Sequence, residues 1–89
     1  MKAITMFKKE GYELVDNEKE NYADYAITYR TTIPVISGIK GEYDLSQEIS
    51  FDTEFKNIDI YTNDEQLPLS IDKNLLKAIN KQCEELGWL

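Results

Sequence analysis

Ile71, Leu75, Ile79 and Cys83 recur every four residues, and Leu86 follows three later. This is an apolar face of helical period, widened by Leu76 and Ala78. Lys73, Lys77, Asn80, Lys81, Glu84 and Glu85 fall mostly on the other side. The spacing predicts a helix from Ser70, whose hydroxyl is suited to accept from a free first-turn amide. Asp72 then lies near the positive end of the helix dipole. Gly87 stands where a left-handed residue ends a helix, which makes Cys83 the C3 residue and Trp88 the C″ residue. Trp88 is therefore expected to fold back onto the helix and be buried.

The remaining chain needs that helix to lie on. Residues 2–10 read as a shorter helix, with Ala3 and Phe7 four apart and Ile4 and Met6 beside them. It repeats the same stop signal, with Phe7 at C3, Gly11 at C′ and Tyr12 at C″. Tyr12, Leu14 and Asp16 alternate as a first strand, and residues 16–21 are polar enough for a turn. Tyr25, Ile27 and Tyr29 alternate with Ala26, Thr28 and Arg30 as a second strand. Ile49 and Phe51, then Ile58 and Ile60, alternate with polar residues in two strands that residues 53–56 join as a hairpin. Residues 62–69 read as a linker. Between these strands, residues 31–45 hold Ile33, Val35, Ile36 and Ile39, broken by Pro34, Gly38 and Gly41. Pro34 argues against a central strand there. The segment is either a functional loop, or its aliphatic residues form another strand or cover the sheet edge.

The expected fold is a single α+β domain over residues 1–89. An antiparallel β-sheet of 3–5 strands packs one face on a short N-terminal helix and a longer C-terminal helix. A chain of 89 residues has a modest core. Its 17 Asp and Glu against 10 Lys and Arg give a net charge of −7. That balance disfavours direct contact with nucleic acid or an anionic membrane and favours a basic partner. The single cysteine excludes an internal disulfide framework, and no apolar run approaches the ~20 residues of a membrane span. No signal-peptide core is evident, so a cytoplasmic location in a bacterial host cell is expected.

There is no histidine, so the commonest general base and metal ligand are missing. Catalytic residues, cofactor and metal are all expected to be none. Asp52, Glu54, Asp59, Asn63, Asp64 and Glu65 do not have the spacing of a calcium loop. Phosphate loops, dinucleotide fingerprints and nucleophile elbows are not present in the sequence. The candidate binding site is the polar face of the proposed hairpin. Alternation turns Glu48, Ser50 and Asp52 outward, with Glu54 at the turn and Asp59 on the next strand. Residues two apart on a strand are about 6.6 Å apart, so these carboxylates form a row on the scale of a nucleic-acid backbone. Ile36, Ile39, Tyr43 and Asp44 of the neighbouring segment complete the candidate site. The plainer reading is an ordinary solvated sheet face.

Residues 6–15, MFKKEGYELV, and 77–88, KAINKQCEELGW, resemble the two ends of small uncharacterised proteins encoded by phages and prophages of Gram-positive bacteria. The resemblance covers about a quarter of the chain. It implies a mobile-element accessory protein and maps no catalytic residue. Small acidic phage proteins include anti-CRISPR proteins and DNA mimics that inhibit restriction enzymes, an analogy of genome and charge. The expected function is thus non-catalytic inhibition of a basic host protein, in its sharpest form an RNA-guided defence nuclease. The alternatives are a self-associating structural or accessory protein, such as a homodimer, and a small enzyme.

Cys83 lies on the apolar stripe with no cationic neighbour to stabilise a thiolate. A thiol reagent added to the native protein is expected to label it only as fast as the protein opens. Rapid labelling without denaturant would show that the stripe is misplaced.

Overall fold

The computed structural model describes residues 1–22, 26–38, 41–64 and 70–89. The elements are α1 (Ala3–Lys9), β1 (Glu13–Leu14), β2 (Ala26–Ser37), β3 (Gly41–Asp52), β4 (Asn57–Thr62) and α2 (Lys73–Glu85). The strands form one antiparallel meander in the order β1-β2-β3-β4. An α+β fold with two helices and a four-stranded antiparallel sheet is what the alternation and the two helical periods predict.

Both helices end as the glycines require. Tyr12 N–H donates to Phe7 at 2.9 Å and Gly11 N–H to Lys8 at 3.0 Å, with Gly11 at φ 84°. Trp88 N–H donates to Cys83 at 2.9 Å and Gly87 N–H to Glu84 at 3.0 Å, with Gly87 at φ 76°. Each is the paired-bond ending that a left-handed residue permits.

The start of α2 differs from expectation. Asp72, not Ser70, is the N-cap, and its carboxylate accepts from Leu75 N–H at 2.8 Å. A carboxylate both accepts the orphan bond and opposes the positive helix end, whereas a hydroxyl only accepts. Ile71 therefore precedes the helix and is 40% exposed, and Leu76, about 100° round from Leu75, is also exposed. The true stripe is Leu75, Ala78, Ile79, Gln82 and Cys83. α1 has no side-chain cap of its own. Its Ala3 N–H donates to the Glu85 carboxylate at 2.6 Å, so the last residue of α2 closes the first turn of α1.

Register separates the two sheet faces. Tyr29 opposes Ile49 and Ile27 opposes Phe51; Ile49 opposes Ile60 and Phe51 opposes Ile58. This apolar face meets the helices in one core with Ala3, Phe7, Leu75, Ala78, Ile79 and Cys83. Phe7 stacks on Tyr29 with centroids 3.9 Å apart and meets Tyr12 and Phe51 edge-on at 6.0 and 6.1 Å. Trp88 is half-buried, with its ring 6.3 Å from Phe51, so it closes over the sheet as well as the helix end. Burial pushes the Cys83 thiol up from its ordinary value.

Residues 31–38 and 41–45 are not a free loop. Residues 31–37 and 41–45 are the distal halves of β2 and β3, paired one to one from Ala26–Asp52 to Ser37–Gly41 without a bulge, and Gly38 begins the turn. Pro34 lies inside β2, opposite Asp44, against the expectation from its ring. The reason is parity. Val15 N–H donates to Thr28 C=O at 2.8 Å, so the even residues of β2 turn their backbone groups away from β3. β1 pairs only with Tyr29 and Arg30, and among the described residues no strand flanks β2 further on. The missing N–H of Pro34 therefore faces an open edge. Each twelve-residue strand is about 40 Å long. The chain measures 45 × 30 × 20 Å, so this hairpin sets its long axis.

Tyr29 donates its hydroxyl to Gln82 Oε1 at 2.6 Å, and burial, with Glu85 adding to it, pushes the phenol up to about 12. The folded state holds this proton more tightly than the unfolded chain. Stability is therefore expected to fall as pH rises from 10 towards about 12, with Tyr12 and Tyr22 adding to the slope. Tyr29→Phe strands the buried Gln82 acceptor and is expected to lower stability at neutral pH by about 1–3 kcal/mol. The same variant should flatten the alkaline loss. Urea midpoints followed across that pH range check both signs.

Candidate functional site

The face of the sheet turned away from the helices is acidic. Glu13 opposes Arg30, Glu48 opposes Arg30 and Tyr61, Asp52 opposes Ala26 and Asn57, and Asp59 opposes Ser50. Glu42 and Asp44 continue the β3 row, opposite Ile36 and Pro34. Side-chain period two puts all six strand carboxylates on this one face. Arg30 is the one cation among the strand residues, and it shares the face. Six of the nine lysines belong to the helices: Lys2, Lys8 and Lys9 cap or belong to α1, and Lys73, Lys77 and Lys81 belong to α2, while Lys19 and Lys56 lie in the turns at 16–22 and 53–56. Alternation alone pointed to Glu48, Asp52 and Asp59. Glu13 and Glu42 join them only through the pairing register.

The face is not uniformly open. Residues 16–22 turn back over its middle. Asp16 accepts from Glu18 and Lys19 N–H at 3.1 and 3.2 Å, which forms the turn. Asn17 Nδ2 donates to Ala26 C=O at 2.5 Å. Tyr22 donates to both Glu48 oxygens at 2.8 and 2.7 Å. Arg30 Nε donates to Glu48 at 2.9 Å, and its two terminal nitrogens donate to Glu20 at 3.2 and 3.3 Å. Beneath this cover Thr28 is buried, bonded to Ser50 Oγ at 2.9 Å. The carboxylates of Glu20 and Glu48 hold the guanidinium above its ordinary pKa, and Arg30 holds Glu20 below its own.

The predicted site residues thus divide by what they do. Glu48 is paired with the Arg30 cation and hydrogen-bonded by the Tyr22 hydroxyl. Asp52 accepts from Glu54 and Phe55 N–H, both at 2.9 Å, and so builds the β3–β4 turn in which Lys56 adopts φ 58°. Tyr43 faces the opposite side of the sheet and donates to Asp64 at 3.2 Å. Asp44 and Ile36 are exposed on the distal hairpin, Ile36 at 82%. Glu54 and Asp59 are exposed beside β4. Ile39 lies outside the described residues. The carboxylates of Glu42, Asp44, Glu54 and Asp59 have no side-chain partner among the described residues, so they carry the outward field.

The remaining features are subordinate. A hollow of about 420 Å³ lies between Glu13, Asp16, Glu20 and Arg30 at the β1 side of this face. A second, of about 350 Å³, lies on the helix side between Tyr12, Ile33, Gln47, Asp72 and Leu75. Among the described residues no group of three or more carboxylates or thiols is arranged to hold a metal ion. Asn63, weighed as a ligand, instead extends the ladder: its N–H and side chain bond Ser46 at 3.2 and 2.9 Å. No helix among the described residues is long and apolar enough to cross a membrane. The chain matches no protein-family model, no curated protein and no solved structure.

Glu48 is only 16% exposed in its side chain, and Arg30 is its cation. Arg30→Met leaves that carboxylate with the Tyr22 hydroxyl but no cation and is expected to cost about 1–3 kcal/mol. Glu20→Gln, at the exposed end of the network, should leave the urea midpoint nearly unchanged. Equal effects of the two variants would show that Arg30 does not act through Glu48.

Proposed function

We propose that the protein is a non-catalytic binding module that captures a basic partner on its acidic sheet face. The observation that supports it is the segregation of charge: six strand carboxylates on one face, with the lysines of both helices elsewhere. Such a field steers a cationic surface during encounter. Aliphatic and aromatic area beside it, at Ile36 and at Phe55, Ile58 and Tyr61, supplies burial that exposed ion pairs lack. The narrowest form of this reading is a mobile-element inhibitor that occupies the basic groove of an RNA-guided nuclease in a bacterial host. The exposed apolar residues at β4 favour one second reading, a self-associating accessory protein.

The free carboxylates, not the structural ones, are the proper targets. Joint reversal of Glu42, Asp44 and Asp59 to Lys is expected to slow association with an arginine-rich peptide about tenfold or more and flatten its salt dependence. Surface plasmon resonance reads both, and unchanged circular dichroism shows that the variant is folded. The same variant should lose any inhibition of target cleavage by RNA-guided nucleases of Gram-positive hosts. An on-rate unaffected by reversal and by salt sinks the proposal, and sedimentation of the wild type as a dimer favours the second reading.

A further inference from the structure

β4 is an edge strand, and among the described residues nothing pairs with its outer side. Which groups it presents follows from the ladder. Asn63 N–H donates to Ser46 C=O, and Lys56 N–H donates to Asp52 C=O. The even residues of β3 therefore face β4. Their partners Asn57, Asp59 and Tyr61 bond inward, and Ile58, Ile60 and Thr62 turn their N–H and C=O groups outward. Free edges in proteins are usually blunted by proline, lysine or a bulge. The distal edge of β2 is blunted in this way by Pro34. β4, Asn-Ile-Asp-Ile-Tyr-Thr, has no proline, no lysine and a bulge-free register, and its one charged side chain, Asp59, blunts it only towards strands that bring no cation opposite. Large apolar side chains cluster along it instead, with Phe55 71%, Ile58 36% and Tyr61 60% exposed.

We propose that this edge takes an added β-strand: an extended segment of the basic partner in which apolar and basic residues alternate. The inference rests on the reading of a basic partner given above and says where and in what conformation it docks. A strand laid along β4 bonds the outward groups of Ile58, Ile60 and Thr62. Its residues on the helix side meet Ile58 and Ile60 and extend the core. Those on the other side meet Asp59 and Tyr61, with Glu54 at the end of the strand, and there a lysine or arginine complements the charge. A second copy fits less well. A two-fold pairing centred on Asp59 sets Asp59 against its own copy. Shifting the centre to Ile60 still leaves the two carboxylates diagonal, about 7–8 Å apart, between chains of charge −7.

The test uses the full chain and a synthetic peptide of alternating isoleucine and lysine matched to β4 in length, read by amide hydrogen exchange in NMR spectra. Binding is expected to protect the amides of Ile58, Ile60 and Thr62, which have no backbone partner among the described residues. Asp59→Lys sits on an exposed face and should weaken the peptide about five- to tenfold without changing protection elsewhere. Salt-dependent shifts confined to Glu42, Asp44 and Glu13, with no protection along β4, overturn edge docking and leave the acidic-face reading standing. Absence of any salt-dependent binding overturns both. A dimer that already protects these three amides without peptide gives the edge to a second copy and overturns the proposal.

Discussion

Tyr29 is the contact on which the two layers depend. Its ring lies flat under Phe7 of α1 and edge-on to Phe51 of β3, and its hydroxyl reaches Gln82 of α2. One residue thus ties both helices to the sheet. It does so at the one place where all three short β1 contacts are also gathered, since Leu14 opposes Tyr29, Glu13 opposes Arg30 and Val15 bonds Thr28. In a small domain a single buried aromatic with a satisfied hydroxyl is a large share of the available stability. Sliding β2 by one residue would turn Tyr29 to solvent and Arg30 into the core, so this contact also specifies register.

The helix ends were legible because their chemistry is local. Gly11 and Gly87 sit at positive φ, and the bonds around them involve residues within five positions. The alternation of Ile49 with Phe51 and of Ile58 with Ile60 was legible for the same reason. Three things were not. Gln82 occupies a stripe position by spacing, but its polar character hid it until Tyr29 was known to be its partner. Pro34 is forbidden or tolerated in β2 according to which strand flanks it, which no local pattern states. Asp72 and Ser70 are both acceptable caps two residues apart, and residue preference alone does not choose between them.

The acidic face shows the same division. That Glu48 and Asp52 point away from the core follows from period two. That they are not free follows from contacts with residues distant along the chain: Tyr22 and Arg30 for Glu48, a turn conformation for Asp52. Of the carboxylates that do present open charge, Glu42 and Asp44 lie in a stretch whose breakers concealed a regular hairpin, and Glu54 and Asp59 lie at the β4 edge. The open charge is therefore displaced from the middle of the sheet to its two ends, the distal hairpin and the β4 edge.

Six carboxylates on one small sheet face would ordinarily oppose folding. Here no carboxylate stands directly across a strand pair from another: each faces Arg30 or a neutral residue. On β3, Ser46 and Ser50 also separate Asp44, Glu48 and Asp52, so these carboxylates are about 13 Å apart along the strand. At that separation, beyond the Debye length of about 8–10 Å in physiological salt, repulsion among these three is largely screened, whereas Glu42 and Asp44, two apart on β3, stand about 6.6 Å apart and retain theirs. A partner's cations, by contrast, can approach to contact distance, where screening is weak and bound water is expelled. The arrangement thus limits the cost in the middle of the face and leaves the closely spaced charge at the distal hairpin, where a cation that settles on it relieves the most repulsion.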